Sequence, residues 1–287
     1  MNQFFSRHFV LISTICSLML PVLAVAEQEV SVSPLSEAPV LDGILGDWSG
    51  DGQKIALVKA HPGVSVELSE LRIWAGHFNG MVYMALRWED ASPDRQHKPY
   101  VWDDQQQRYV AGKQREDRLA IQFEMSGDYD TNWLSGNEFT ADMWHWKSAR
   151  SAPVGLAHDK MTIISRSKLT RSFKASTSDG TEIYIRRPSD AGDEIYSSKR
   201  YGLRENKQMP KYILNNAASG SIADVKAGSL WQNGYWQLEL ARKLDTGHKD
   251  DVAFAVGKDV RGGIAVFNRS GDDDHVISQN LLFRFMN

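Results

Sequence analysis

The feature that most constrains this chain is a pair of short apolar runs on either side of a tight-turn signal. Leu71-Arg72-Ile73-Trp74 and Met81-Val82-Tyr83-Met84-Ala85-Leu86-Arg87-Trp88 flank His77-Phe78-Asn79-Gly80. Asn-Gly in that setting is a strong signal for a two-residue β-hairpin, because both turn residues must take positive φ. Runs of similar length, rich in β-branched and aromatic residues, follow at 118–123, 181–185, 235–240, 251–256, 264–267 and 281–285. Gly and Pro punctuate the intervals and no stretch carries a long helical period, so the expected fold is all-β, a β-sandwich.

Two intervals break the pattern. Residues 90–112 and 165–220 are polar and charged and, apart from the run at Thr181, poor in strand character. Such segments bury too little apolar surface to form a second core, and they are expected to be long loop insertions on the sandwich. One domain over 27–287 is therefore expected, with residues 1–26 set apart.

Those first residues carry Arg7, an apolar stretch from Phe9 to Leu20, and the small residues Ala24-Val25-Ala26. This is the pattern of a secretory signal peptide cleaved after Ala26, too short to span a bilayer comfortably, and it predicts a periplasmic product. Cys16, the one cysteine, lies inside it. A mature chain without cysteine has no disulfide, no thiolate metal site, no cysteine nucleophile and no Cys-x-x-Cys-His attachment for haem. Losing Arg7 with the leader leaves 32 basic against 36 acidic residues, a net charge near −4 that is no footprint for nucleic acid. No second apolar segment reaches membrane-spanning length.

Catalytic signatures are missing: there is no Gly-x-Ser-x-Gly, His-Glu-x-x-His, P-loop or dinucleotide fingerprint. Asp250 and Asp251 read more simply as polar turn residues beside a strand. The chain is not expected to be an independent enzyme.

Three stretches carry a resemblance. They are Leu41-Asp42-Gly43-Ile44-Leu45-Gly46-Asp47-Trp48; Glu116-Asp117-Arg118 to Phe123 followed by Asp142-Met143-Trp144-His145-Trp146-Lys147-Ser148-Ala149-Arg150; and Gly234-Tyr235-Trp236 through Phe267 to Asp274-His275-Val276-Ile277-Ser278. In this order they resemble the haem-binding gamma-subunit family of ethylbenzene dehydrogenase and related molybdenum enzymes of the DMSO-reductase type, with its cytochrome c-552-like haem-binding domain. The first stretch is shared with carbohydrate-binding modules. The resemblance implies an immunoglobulin-like or carbohydrate-binding-module-like sandwich, a non-covalent haem b, and electron transfer with a periplasmic redox partner such as a cytochrome or a molybdenum oxidoreductase.

The family's lysine ligand lies in the loop before the last strand, where this chain has His275, a competent nitrogen donor. The other reading of His275 is a solvated residue in the acidic turn Asp272-Asp273-Asp274. The family's methionine corresponds most closely to Trp133 or Leu134, neither of which binds iron. That leaves Met125 upstream or His145 downstream as second ligand, a five-coordinate site, or a lost one; Met143 is expected to pack in the sandwich. On a strand Trp144 and Trp146 share one face, and Met143, His145 and Lys147 the other. The indoles either pack between the sheets or wall a haem pocket, and Lys147 and Arg150 are either propionate partners or surface charges.

A binding module without redox function is the alternative. There, exposed Trp and Tyr would stack on a sugar ring, and the Asp272–Asp274 turn would hold calcium.

Overall fold

The computed structural model describes residues 27–287; the expected leader, its cleavage site and Cys16 lie outside the described residues. Strands occupy Gln28–Pro34 (β1), Gln53–Lys59 (β2), Glu70–Phe78 (β3), Met81–Glu89 (β4), Tyr100–Asp103 (β5), Arg108–Ala111 (β6), Arg118–Gly127 (β7), Phe139–Lys147 (β8), His158–Ser165 (β9) and Phe173–Ser176 (β10). The rest are Glu182–Arg186 (β11), Tyr196–Ser198 (β12), Gln208–Met209 (β13), Tyr212–Leu214 (β14), Lys226–Gln232 (β15), Tyr235–Lys243 (β16), Asp259–Phe267 (β17), Val276–Ser278 (β18) and Leu281–Phe285 (β19). Among the described residues there is no α-helix, only three single-turn 3-10 segments.

The hairpin read from Asn79-Gly80 forms as expected. Asn79 has φ 46° and Gly80 φ 75°, and Phe78 pairs Met81 across the turn. Asn233-Gly234 repeats the device between β15 and β16, with φ 53° and 81°.

Two layers result. One sheet runs β2-β3-β4-β16-β15, and the other β10-β11-β9-β8-β7-β17, with β17 continuing to β18 and β19. Two strands switch layers and close the edge: β2 pairs β3 through Gln53–Ala56 and then β18 through Leu57–Lys59, while β1 runs parallel to β19 and then to β3. The inward faces alternate along each strand, as the pleat requires. From β7 they contribute Leu119, Ile121 and Phe123, from β8 Trp144 and Trp146, and from β16 Trp236, Leu238 and Leu240. Trp146 meets Trp236 at 4.9 Å and Trp88 at 5.9 Å, both edge-on. Such pairs add about 0.5–1.5 kcal/mol each beyond the area they bury.

Two sequence expectations need correction. Residues 251–256 are irregular, with a bend at Asp251 and a turn at Val256, and join no ladder. Val252 and Phe254 do point into the core, but their N–H groups go to the Asp142 carboxylate (3.0 Å) and the Leu244 carbonyl (2.7 Å) rather than to a strand. The insertions are also more ordered than their polarity suggested. β5, β6 and β13 form a small sheet that joins the two of them, β12 pairs β14, and β10 and β11 widen the second layer. Their stability comes from aromatic contacts that an apolar count undervalues, such as Trp102 edge-on to Tyr109 at 5.1 Å.

Candidate functional site

The outward face of the β9-β8-β7-β17-β18 layer is not left to water. Direct cross-strand pairing sets Gln122 beside Met143 and Ala120 beside His145, while Gly263 and Ala265 on β17 lie next to Gln122 and Ala120. The insertion and two loops cover this face. Beneath them is a narrow cleft lined by Ala120, Gln122, Met143, Gly263, Ala265, Phe267 and Ile277 below, and by Thr131, Trp133, Arg187, Asp272 and His275 at its rim. Three of the residues below are Gly or Ala, and the Thr131 side chain packs directly on Gly263. The cleft is closed down to 40 Å³, room for about one or two waters. Thr131 and Ile277 also line an adjoining open groove of 410 Å³, so the Thr131–Trp133 loop is the partition between them.

His275, immediately before β18, stacks on Phe267 at 4.6 Å with 27° between the rings. Its backbone is well braced. Arg118 donates to the carbonyls of Ser270 (3.0 Å) and Gly271 (2.9 Å) and pairs with Asp272, while Asp274 accepts the Ser65 N–H at 2.7 Å. His275 Nδ1 is enclosed and has no hydrogen-bond partner. Burial, with Arg118 and Arg187 nearby, pushes its pKa down to about 4, so the ring is neutral at physiological pH and carries a free lone pair. In the acidic turn the carboxylates of Asp272 and Asp274 point to different partners, Arg118 and the Ser65 N–H.

His145 is 2 % exposed and neither ring nitrogen has a partner. Burial, and then the charges of Lys147 and Arg118, hold its pKa well below the usual histidine range. Its ring lies 6.0 Å from Phe267, nearly parallel. A buried imidazole with two unsatisfied nitrogens is costly unless something completes its bonding.

The other sequence candidates divide. Met143, expected in the sandwich, instead lines the cleft, because β8 turns its odd-numbered side chains outward. Met125 packs on the inward face with the main core, opposite the cleft. Trp144 and Trp146 are 0 % exposed on that same inward face, so they are core residues and not a pocket wall.

Lys147 and Arg150 are neither solvated nor free for an anion. Lys147 Nζ lies 2.6 Å from His158 Nδ1 and donates to the Tyr196 hydroxyl at 3.1 Å, with burial, Arg150 and Lys160 driving its pKa well down. Arg150 pairs with buried Glu116.

The cation that the sequence reading missed is Arg187, just beyond β11. Its Nε is enclosed without an acceptor and no carboxylate lies within ion-pair distance of it among the described residues; its guanidinium sits 5.4 Å over the Trp133 ring. Trp133 in turn donates Nε1 to Gln122 at 2.9 Å. The only signal for Arg187 was the Arg186-Arg187-Pro188 punctuation after the strand at 181–185. Of the nine tryptophans, Trp74, Trp133 and Trp231 are half-buried and the other six buried.

A family model described as ethylbenzene dehydrogenase matches residues 57–276. Among solved structures, the chain is similar to a protein assigned as carbohydrate-binding from Bacteroides uniformis, at 10 % identity and TM-score 0.42, covering 90 % of this chain and all of that one. A family 9 carbohydrate-binding module from Caldicellulosiruptor kristjanssonii in complex with glucose matches at 9 % identity and TM-score 0.40, covering 88 % and 85 %. No curated protein matches.

Proposed function

This chain belongs to the ethylbenzene dehydrogenase family, and from that premise we propose that it is an exported, periplasmic haem b domain serving electron transfer rather than catalysis of its own. The observation that carries the reading is the pair of neutral imidazoles, His275 and His145, whose buried ring nitrogens lack partners on one face of the β7-β8-β17 layer. The donor types suit the group: a neutral nitrogen at His275, a thioether at Met143, small residues at Ala120 and Ala265, and an unpaired guanidinium at Arg187. Bound there, haem would supply a one-electron redox centre whose potential follows its axial ligands and burial.

In this reading His275, its loop held by the Arg118 clamp, would offer its ring nitrogen to the iron. Met143, which lines the cleft, would be the further donor; His145 shares the face but packs against Phe267 at 6.0 Å outside the cleft lining, and Met125 lies on the opposite face. Arg187, not Lys147 or Arg150, meets a propionate. A porphyrin exceeds the 40 Å³ of the closed cleft, so binding would require the Thr131–Trp133 loop, which Trp133 Nε1 ties to Gln122 at 2.9 Å, to open. The redox partner is a cytochrome or a molybdenum oxidoreductase.

The test is a visible spectrum of the mature protein purified from a haem-sufficient host. A Soret band that His275→Ala shifts or weakens supports the reading. A colourless protein that takes up no added haemin overturns it.

A further inference from the structure

The two insertions fold into one lobe whose charge opposes that of the rest of the chain. β13 pairs β5 through Gln208 and Val101, the Trp102 N–H donates to the Lys207 carbonyl at 2.8 Å, and the Tyr109 hydroxyl donates to the Asn206 carbonyl at 2.6 Å. Residues 95–115 and 196–215, which build this lobe, carry ten basic and three acidic side chains, a net charge of +7. The other residues after 26 carry 22 basic and 33 acidic, a net charge of −11. Folding a sandwich does not require such a division, and like charges gathered in one lobe repel.

The cations of the lobe are also left without carboxylates. Among the described residues, Arg204 alone of the ten is ion-paired, with Asp104 at 3.0 Å. Asp103 turns back to its own loop and accepts the N–H groups of Gln105 and Gln106, both at 2.9 Å. On the sandwich, by contrast, Lys54 pairs with Glu70 at 2.5 Å and Lys59 with Glu67 at 2.6 Å. Several lobe cations lie over rings instead, Lys199 4.8 Å from the Tyr201 centroid and Lys211 5.7 Å from those of Tyr100 and Tyr212, which holds them in place without neutralising them. A pocket of 330 Å³ opens among them, walled by Arg95, His97, Lys211 and Tyr212 and by no carboxylate. Glu116, behind His97, is already held by Arg150 and the Ala149 N–H (2.7 Å). Leu203, 82 % exposed, stands in the loop between Lys199 and Lys207. Burial, and then the charges of Arg115 and Lys211, push the Lys98 amine below its ordinary range, and the carboxylate that opposes them is Asp272 on the cleft rim. The basic face therefore borders the cleft.

We infer that this face docks an acidic protein surface; that the docked protein is the electron-transfer partner rests on the haem reading above. Arg, Tyr and Trp around an apolar anchor are the residues that carry binding energy at protein interfaces, and opposite charge speeds encounter and fixes register. The pocket takes a carboxylate side chain of the partner between Arg95 and Lys211, and Leu203 supplies the apolar contact. A membrane or a nucleic acid extends past the lobe and meets the acidic remainder of the chain, whereas a compact acidic patch matches the lobe and ends with it.

The mature chain as purified should bind a small acidic c-type cytochrome by calorimetry, and more tightly at about 20 mM than at about 200 mM salt, because screening shortens the reach of charge. Lys199→Glu with Arg200→Glu and Lys207→Glu, all at exposed positions, should weaken that binding about tenfold or more, and Leu203→Ser should weaken it at both salt concentrations. Lys243→Glu with Lys258→Glu, equally exposed but on the sandwich, should leave it within about twofold. Circular dichroism checks that each variant is folded. No binding, equal losses in the two sets of charge reversals, or capture of the chain by heparin or phosphatidylglycerol vesicles but not by the cytochrome would overturn the docking face. Binding is read with or without a Soret band. A colourless chain that docks overturns the haem reading alone, and a haem-loaded chain that does not dock overturns this inference alone.

Discussion

His275 lies nearly parallel to Phe267 at 4.6 Å, which fixes an imidazole against the outer face of the sheet while leaving Nδ1 unbonded. A ring held by stacking alone turns either nitrogen to a ligand at little cost, because no hydrogen bond has to break first. Substituting Phe267 should therefore act on the ligand rather than on the fold. We predict that Phe267→Ala retains the sandwich by circular dichroism but broadens the Soret band and speeds haem loss, whereas Phe267→Tyr leaves both near wild type.

Strand parity separates the candidate second donors. Met143 and His145 point outward and Met125 inward. Replacing Met143 by Leu should abolish a thioether-to-iron charge-transfer band if sulfur is the sixth ligand, and His145→Phe should leave that band in place. Met125→Leu should change no spectrum at all, and a spectral change on that substitution would place iron on the wrong face of the sheet.

Core and site separate in the same way for the two indoles. Trp144 is fully buried, packed edge-on against Phe123 at 4.9 Å on the face away from His275. Trp144→Ala should cost about 3–5 kcal/mol of stability, the usual loss for a buried Trp, measured by urea unfolding. Any haem that the folded fraction binds should keep its wild-type spectrum.

Much of this was legible in the residues, and what was not has identifiable causes. Asn79-Gly80 specified its turn because few other pairs accept two positive φ values, and period-2 alternation correctly split Trp144 and Trp146 from His145. Alternation does not say which face meets the other sheet, so the sequence points Met143 into the sandwich, whereas it lines the cleft. The run at 251–256 has strand composition, yet the carboxylate of Asp142 captures the N–H of Val252 that a neighbouring strand would have used. Arg187 was invisible because its role depends on how an insertion folds back over the sheet. The Leu41-to-Trp48 stretch, generic as a motif, proves to wrap one buried side chain: Glu239 accepts from the N–H of Asp42 (3.1 Å) and Gly43 (2.8 Å) and from Trp48 Nε1 (2.9 Å).

That wrapping predicts an effect far from the cleft. Glu239→Leu strips the acceptor from three donors at once, and each orphaned donor costs about 1–3 kcal/mol. The melting temperature should fall by well over ten degrees, while Glu239→Gln, which keeps one acceptor oxygen, should fall less. Equal losses in the two variants would mean that the side chain serves by packing alone.

The pH response of the cleft follows from the value of about 4 at His275. An imidazolium has no lone pair to give, so haem retention should hold from neutral pH down to about 5 and fail as pH approaches 4. A solvated histidine would lose it near 6.5 instead. Arg187 supplies the complementary test, since a guanidinium stays charged throughout. Arg187→Ala should weaken haem binding about tenfold or more, as a charge-assisted hydrogen bond of roughly 1.5–3 kcal/mol implies, and the deficit should be the same at pH 5 and pH 8. A deficit that vanished at low pH would instead assign the anion contact to a group that titrates in that interval.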